Sequence, residues 1–227
     1  MGGQADWPER LMARIRVGQK RFVLSDPQAC AAGQLADLIG EAEISHVQIR
    51  LCETHADNPA VAPFRSSLVG HFSAVTITGQ GEEPIADMLM QQLRLARAAG
   101  FEPQSVVHGA AGEAQAIATL EATFGEDPVF LRLTVARSRA GSASHRLLAH
   151  GRGDSAGLQV WSDPAARPAT AFYLTGENAT GLPSIYESAH RAVLRFAIAM
   201  PVTLPTGEAL RQWDQDATMA LAIAANS

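Results

Sequence analysis

The chain has 227 residues, enough for one large domain or two small ones whose core needs no disulfide or metal. Its formal net charge of −5 argues against non-specific nucleic-acid binding, which requires a basic surface. Charged residues make up 18% of the chain, below the roughly 25% of typical soluble domains, which favours a surface partly covered by a second copy or a partner.

The N-terminal part is predicted to contain a hairpin, a helix and a strand. Residues 11–24 hold two β-capable runs around a glycine, which predicts the hairpin. Residues 25–28 have capping-box spacing ahead of a helix over residues 29–39, which Gly40 ends. Apolar residues alternate in residues 45–52, which predicts a strand.

The central segment, residues 71–137, begins with a strand and a helix. Residues 71–79 alternate apolar and β-branched side chains, a pattern typical of a strand. Two glutamates and Pro84 then precede apolar residues at helical spacing, and Gly100 is placed to end that helix.

The same segment is predicted to continue as strand, helix and strand. Residues 104–108 are a short apolar strand, and a glycine-rich turn leads into a second helix over residues 111–124. Residues 128–136 are almost continuously β-rich, as in a strand covered on both faces. Because helical crossovers connect parallel strands, this βαβαβ segment predicts parallel neighbours.

The C-terminal part is predicted to contain a loop, two strands and two helices. The stretch 138–157, rich in Gly, Ser and Arg, is interpreted as a loop and a possible sub-domain boundary. Residues 158–161 and 169–174 are predicted as antiparallel strands joined by a Pro-containing turn. Residues 184–200 and 207–224 are amphipathic helices, each of which must pack on something.

These elements predict an α+β fold with an α/β-like middle, in a single domain over residues 1–227. Its mixed sheet would combine the N-terminal hairpin, the central βαβαβ segment and later antiparallel strands, with two C-terminal packing helices. The N-terminus lacks the apolar segment of a secretory signal, and no run approaches the ~20 apolar residues that span a bilayer. A cytoplasmic location without a membrane segment is therefore predicted.

The sequence carries no diagnostic catalytic, metal or nucleotide motif, so no metal and no cofactor is predicted. Cys30 and Cys52 lack C-x-x-C spacing and are interpreted as buried thiols. His145 and His150 lack the spacing that puts two ligands on one helix face, and are interpreted as part of a solvated loop. Three aspartates on polar helix faces are also interpreted as solvated: Asp87, Asp214 and Asp216.

Residues 108–112, His-Gly-Ala-Ala-Gly, are the best candidate for a ligand site, although an ordinary tight turn is the simpler interpretation. They are predicted to lie where a strand meets the start of a helix, and ligands bind at such positions in open α/β sheets. Glycines let the backbone approach a ligand, and free N–H groups at a helix start attract anions. The predicted ligand contacts are His108, Gly109 and Gly112, with Arg132 or an arginine of the 137–152 loop as counter-charge.

Two functions compete at this point. The missing motifs, the low charge and the amphipathic terminal helices favour a non-catalytic interaction or assembly protein, a subunit of a homo- or hetero-oligomer. The alternative is an enzyme or binding protein for a small anionic metabolite, phosphate- or carboxylate-bearing, with its site near residues 108–112.

Overall fold

The computed structural model describes residues 6–30, 35–163, 167–199 and 206–226. The described helices are α1 (Trp7–Arg16), α2 (Ala36–Ile44), α3 (Val61–Ser67), α4 (Ile85–Ala98), α5 (Ala189–Ala199) and α6 (Thr206–Ala225). The described strands are β1 (Arg21–Ser25), β2 (Gln48–Cys52), β3 (Phe72–Gly81), β4 (Phe101–Ala111), β5 (Gln115–Phe124), β6 (Asp127–Arg137), β7 (Ser144–Gly151), β8 (Asp154–Trp161), β9 (Ala169–Thr175) and β10 (Asn178–Ile185).

Eight of the described strands form one large mixed sheet in the order β10-β9-β8-β7-β3-β6-β5-β4. Within it β3 and β6 run parallel to each other, and the other neighbouring pairs are antiparallel. Strands β1 and β2 form a separate parallel pair. The predicted α+β class with a mixed sheet is therefore confirmed.

Helices α4 and α6 pack on one face of the large sheet, and the hydrophobic core lies between them and the strands. Strand β6 shows the two faces of the sheet by the alternation of its side chains. Leu131 and Leu133 point to the helices and are fully buried, whereas Phe130 points to the opposite face and is 64% exposed. Trp213 of α6 is also fully buried and meets Trp7 of α1 edge to face, with 5.3 Å between ring centroids.

Several predicted elements are confirmed where their sequence pattern is strong. The alternating run at residues 71–79 lies in β3, the helix after Pro84 is α4, and the β-rich run at residues 128–136 lies in β6. The two later strands are β8 and β9, which pair antiparallel as predicted. The two predicted C-terminal helices correspond to α5 and α6, although the predicted end of the first at residue 200 lies outside the described residues.

The predicted N-terminal hairpin over residues 11–24 is wrong. The chain forms α1 and then β1, which pairs in parallel with β2. Trp7, Leu11 and Ile15 recur every four residues and are buried, so packing of one helical face outweighs the β-propensity of the run.

The second predicted helix of the central segment, over residues 111–124, is also wrong. This stretch forms β5, antiparallel to both β4 and β6, so the central segment is βαβββ with a single crossover through α4. Its buried face is built by Ala116, Ala118, Leu120 and Ala122, which alternate with period two. Alanine is the best intrinsic helix former, and pairing between strands overrides that propensity here.

The predicted loop over residues 138–157 is largely replaced by β7 and β8. Helix α2 runs through Gly40, where the sequence predicts its end. The single-domain organisation stays a prediction. No described helix combines the length and apolar character that crossing a membrane requires.

Candidate functional site

A cavity of about 260 Å³ lies where the carboxyl ends of β1 and β2 meet the start of α4. Because β1 and β2 are parallel, the segments that follow them emerge on the same side, where open sheets commonly bind ligands. The polar side chains that line the cavity are Asp26, Gln28, Glu53, Thr54, His55, Glu83, Asp87, Gln91, Arg94 and Ser162.

Asp26, directly after β1, joins three segments at the edge of the cavity. Its backbone has a φ of 44°, a left-handed conformation that Asp adopts more readily than most residues. Its carboxylate accepts hydrogen bonds from the Thr54 backbone N–H at 2.7 Å and from the Thr54 hydroxyl at 3.1 Å. The Nε2 atom of His190 in α5 lies 2.9 Å from the same carboxylate.

His55 and His145 form a buried pair of imidazole rings behind the cavity. The ring planes are nearly perpendicular, with 4.4 Å between centroids, and the two residues are 3% and 1% exposed. The His145 Nε2–H donates to Oε1 of Gln91 at 2.9 Å, whereas within the described structure both nitrogens of His55 lack a hydrogen-bond partner. Burial lowers the pKa of His55 to about 4 and also lowers that of His145, so both rings are neutral near pH 7.

The small size of Gly79 makes room for this pair. Gly79 in β3 lies opposite His145 in β7, and a Cβ at position 79 would overlap the His145 ring. A side chain here would displace the imidazole or the strand. The close approach therefore explains why glycine stands at this strand position.

Glu83 and Asp87 bring two carboxylates to the cavity from the start of α4. Asp87 accepts a hydrogen bond from the Ala29 backbone N–H at 3.0 Å, which ties the segment after β1 to this helix. Burial raises the pKa of Asp87, the Ala29 hydrogen bond opposes that shift, and the charge of Glu83 adds to it. The Oε2 atom of Glu83 is buried and has no hydrogen-bond partner among the described atoms.

Among the described residues that line the cavity, Arg94 carries the only guanidinium, and that group already has anionic partners. It pairs with Glu53 at 2.9 Å and with Asp216 of α6 at 3.2 Å. Asp216 is fully buried and also pairs with Arg97 at 2.7 Å. The cavity therefore carries four carboxylates and one arginine that already has two anionic partners.

None of the four ligand contacts predicted from the sequence lines this cavity. His108 in β4 and Arg132 in β6 are exposed and lie in register across β5, on the sheet face opposite the helices. Gly109 lies against Ile223 of α6, and Gly112 lies in the turn between β4 and β5. The helix start that suggested an anion site is replaced by a strand, and a ligand-binding role for these four residues stays a prediction.

The sequence-based interpretation missed the cavity residues, and one local signal could have indicated them. Gln91 and Gln92 interrupt an otherwise apolar helical run, and a buried amide needs a specific partner. The interpretation of His145 as solvated is wrong because it is buried in β7. The three aspartates interpreted as solvated are in fact half-buried or fully buried: Asp87, Asp214 and Asp216.

Two chemical predictions can be compared with the described residues. Cys30 and Cys52 are free and buried, as predicted. Burial raises the pKa of both thiols, to about 11 and about 12, so neither is a reactive thiolate near neutral pH. Within the described ranges no group of three or more His, Cys, Asp and Glu side chains is placed to hold a metal ion.

No protein-family model and no curated protein matches this sequence. Several solved structures have a similar fold. UDP-N-acetylglucosamine 3-dehydrogenase GnnA from Acidithiobacillus ferrooxidans is 15% identical with a TM-score of 0.73, over 97% of this chain and 76% of that chain. A putative NADPH-dependent oxidoreductase from Desulfitobacterium hafniense is 10% identical with a TM-score of 0.73, over 97% of this chain and 74% of that chain. A 3-ketoreductase from Actinomadura kijaniata, in complex with TDP-benzene and NADP, is 15% identical with a TM-score of 0.64, over 98% and 73%.

This comparison shows a fold shared with dehydrogenases and reductases. It overturns the interpretation of the chain as a non-catalytic interaction or assembly protein, because the proteins with this fold are named for oxidoreductase activities. The alternative drawn from the sequence, an enzyme or binding protein for a small metabolite, agrees better with these neighbours.

Proposed function

We propose that this chain is an oxidoreductase-type enzyme whose cavity between β1, β2 and α4 holds a small hydroxyl-bearing substrate. The observation that carries the proposal is His55, a buried ring that lines the cavity while both of its nitrogens lack a described partner. Burying a polar group without a hydrogen bond costs free energy, roughly 1–3 kcal/mol in proteins. A substrate hydroxyl in the cavity would provide the missing hydrogen bond.

The other lining side chains suit hydroxyl groups as well. Thr54, Gln91 and Ser162 can each donate and accept hydrogen bonds, and the carboxylate of Asp87 accepts them. GnnA is named for a sugar-nucleotide substrate, which supports a sugar-like ligand here. The small ligand predicted from the sequence is kept, but its predicted negative charge is not favoured beside four carboxylates.

A nicotinamide dinucleotide is the cofactor suggested by the neighbours, since the 3-ketoreductase structure contains NADP. Dinucleotide phosphates are usually bound by a glycine-rich turn that leads from a strand into a helix. Residues 79–81 form a Gly-Gln-Gly run at the end of β3, but Glu82 and Glu83 follow directly and Asp87 lies in the first turn of α4, so three carboxylates would repel phosphate. The described residues therefore do not fit the phosphates of this cofactor, and the proposal is confined to the substrate.

Binding of a sugar to the wild-type chain is expected to raise its stability, and a side chain that fills the mouth of the cavity should abolish the effect. At a concentration 100 times the dissociation constant, a ligand adds about 2.7 kcal/mol to the free energy of unfolding. The test measures thermal unfolding with glucose, N-acetylglucosamine and UDP-N-acetylglucosamine, for the wild type and for Ser162→Tyr.

Ser184→Tyr is the matched control, because Ser184 is exposed on β10 and does not line the cavity. It should retain the wild-type response. His108→Ala tests the site predicted from the sequence. Stabilisation that survives Ser162→Tyr but is lost in His108→Ala would place the ligand on the open sheet face and contradict the proposal.

Two further predictions from the sequence, a cytoplasmic location and self-association, belong to this proposal. For self-association, the open face of the large sheet offers a surface, with Phe130 and Leu174 exposed on it at 64% and 38%. The eight strands of the sheet are separated by seven spacings of about 4.8 Å, and each strand is roughly 25 Å long. The open face of the sheet therefore has an area of about 850 Å². That area matches the roughly 800 Å² that each partner buries in a stable interface, and we propose a second copy as its occupant.

Phe130→Asp is expected to weaken this dimer by about tenfold or more, because it replaces the exposed aromatic side chain of this face with a charge. Light scattering at micromolar concentration measures the mass. Leu194→Asp on α5, another change from an exposed apolar side chain to a charge, should leave the mass unchanged. A wild-type chain that is monomeric at these concentrations would rule out the dimer.

A further inference from the structure

We propose that the substrate of this cavity carries a protonated amine, which binds to the carboxylates of Glu83 and Asp87. The inference rests on the proposed function and names the class of its substrate, a small hydroxylated amine. It starts from the charge that the cavity presents and from which of its charged groups already have partners.

Two of the four cavity carboxylates already have hydrogen-bond partners on other side chains of the protein. Asp26 lies 2.9 Å from the His190 ring, and Glu53 is paired with Arg94 at 2.9 Å. In the described part of the chain, Glu83 and Asp87 form no ion pair. The cavity therefore presents two carboxylates that lack a described counter-charge.

Position at a helix start accounts for part of this arrangement, because acidic side chains are favourable in the first turn. It does not account for the atoms that are left without partners. Oε2 of Glu83 is buried and unpartnered, and the ring of His55, 3% exposed, reaches the same cavity with both nitrogens unpartnered in the described structure. The two carboxylates also interact, since burial raises the pKa of Asp87, the Ala29 hydrogen bond lowers it, and the charge of Glu83 raises it again.

The ligand chemistry follows from these two kinds of group. An ammonium group donates three hydrogen bonds and neutralises one of the two negative charges, whereas a hydroxyl group can form the hydrogen bond that His55 lacks. A metal ion is the other possible cation. It is disfavoured because no set of three or more suitable ligands converges within the described residues.

The experiment compares sugars of similar size that differ in charge. Isothermal titration of the wild-type chain at pH 7.5 uses glucosamine and galactosamine as amines, glucose and N-acetylglucosamine as neutral sugars, and glucuronate as an anion. An amine is expected to bind about tenfold or more tightly than the neutral sugars, the size of one charge-assisted hydrogen bond. Glucuronate is expected to bind most weakly.

Glu83→Gln and Asp87→Asn should each lower the ratio of amine affinity to neutral-sugar affinity by about tenfold. A cooperative thermal unfolding transition reports that each variant is folded. Glu82→Gln is the matched control, because Glu82 is adjacent and exposed and does not line the cavity. It should keep the full preference.

Each remaining outcome counts against the inference. Equal binding of amines and neutral sugars, or a preference that survives in both variants, overturns the amine and leaves the proposed function intact. Binding of MgCl2 or CaCl2 that both variants abolish overturns it in favour of a metal site. If the wild type binds none of these sugars, the inference and the proposed function fall together.

Discussion

Asp216→Ala is expected to lower the free energy of unfolding by about 3–5 kcal/mol, because removing one member of a buried ion network leaves its partners uncompensated. Asp216 is fully buried in α6 and accepts hydrogen bonds from Arg94 at 3.2 Å and from Arg97 at 2.7 and 3.0 Å. Both arginine side chains are only 13% exposed, so water can replace the lost carboxylate only in part. Urea unfolding followed by tryptophan fluorescence, to which the buried Trp7 and Trp213 contribute, measures the loss.

Asp214→Ala is the control for this prediction, since it removes the same group from the same helix. Asp214 is half-buried, and burial raises the pKa of its carboxyl. In the described structure it forms no ion pair, and its Oδ1 atom has no hydrogen-bond partner. Its replacement should change the stability by less than about 1 kcal/mol. Equal losses in the two variants would show that the network around Asp216 contributes nothing specific.

The same network links the core to the cavity. Arg94 donates hydrogen bonds to Asp216 of α6 and to the cavity residue Glu53, which directly follows β2. The burial of Asp216 therefore fixes the position of a charged side chain that lines the ligand site. This arrangement also keeps the arginine from neutralising Glu83 and Asp87.

The elements that could be predicted from the sequence are those in which local pattern and packing agree. The alternating apolar run of β3 and the almost continuous β-rich run of β6 both form strands of the large sheet. Helix α4 has apolar residues at helical spacing between a clear start and a clear end. In β5 the local pattern and the packing disagree, because alanines, which have high helix propensity, fill the buried face of a strand. The parallel pairing of β3 with β6 is a tertiary choice that no short window of sequence shows.

The candidate site could not be predicted, because it is assembled from segments far apart in the chain. Residues 26–28, 53–56 and 83–94 meet only through the pairing of β1 with β2 and the placement of α4. His55 stands in a polar loop with no pattern around it. The partner of Arg94, Asp216, is 122 positions away, which explains why its burial was not expected.

Acidification is expected to destabilise the protein through its buried imidazole pair. The pKa of His55 is lowered from 6.5 to about 4 by burial, so between these pH values the unfolded chain binds a proton that the folded chain does not. This contribution of His55 to the free energy of unfolding is therefore complete above about pH 6.5 and is lost as the pH falls, by about 2–3 kcal/mol at pH 4.5. Burial of His145 acts in the same direction. Asp57 has the opposite effect on stability in acid. Burial raises the pKa of its carboxyl to about 6, so the folded chain binds this proton at a higher pH than the unfolded chain does and gains stability as the pH falls.

Comparison with His55→Leu isolates this effect, since the contribution of Asp57 is present in both chains. Urea unfolding at pH 7.5, 5.5 and 4.5 should show that the variant loses about 2–3 kcal/mol less than the wild type between the first and last pH. His150→Leu, at an exposed position of β7, should retain the wild-type pH dependence. A His55→Leu variant that loses as much stability in acid as the wild type does would mean that this ring binds its proton equally well in the folded and unfolded chain. Its burial beside His145 would then carry no electrostatic cost.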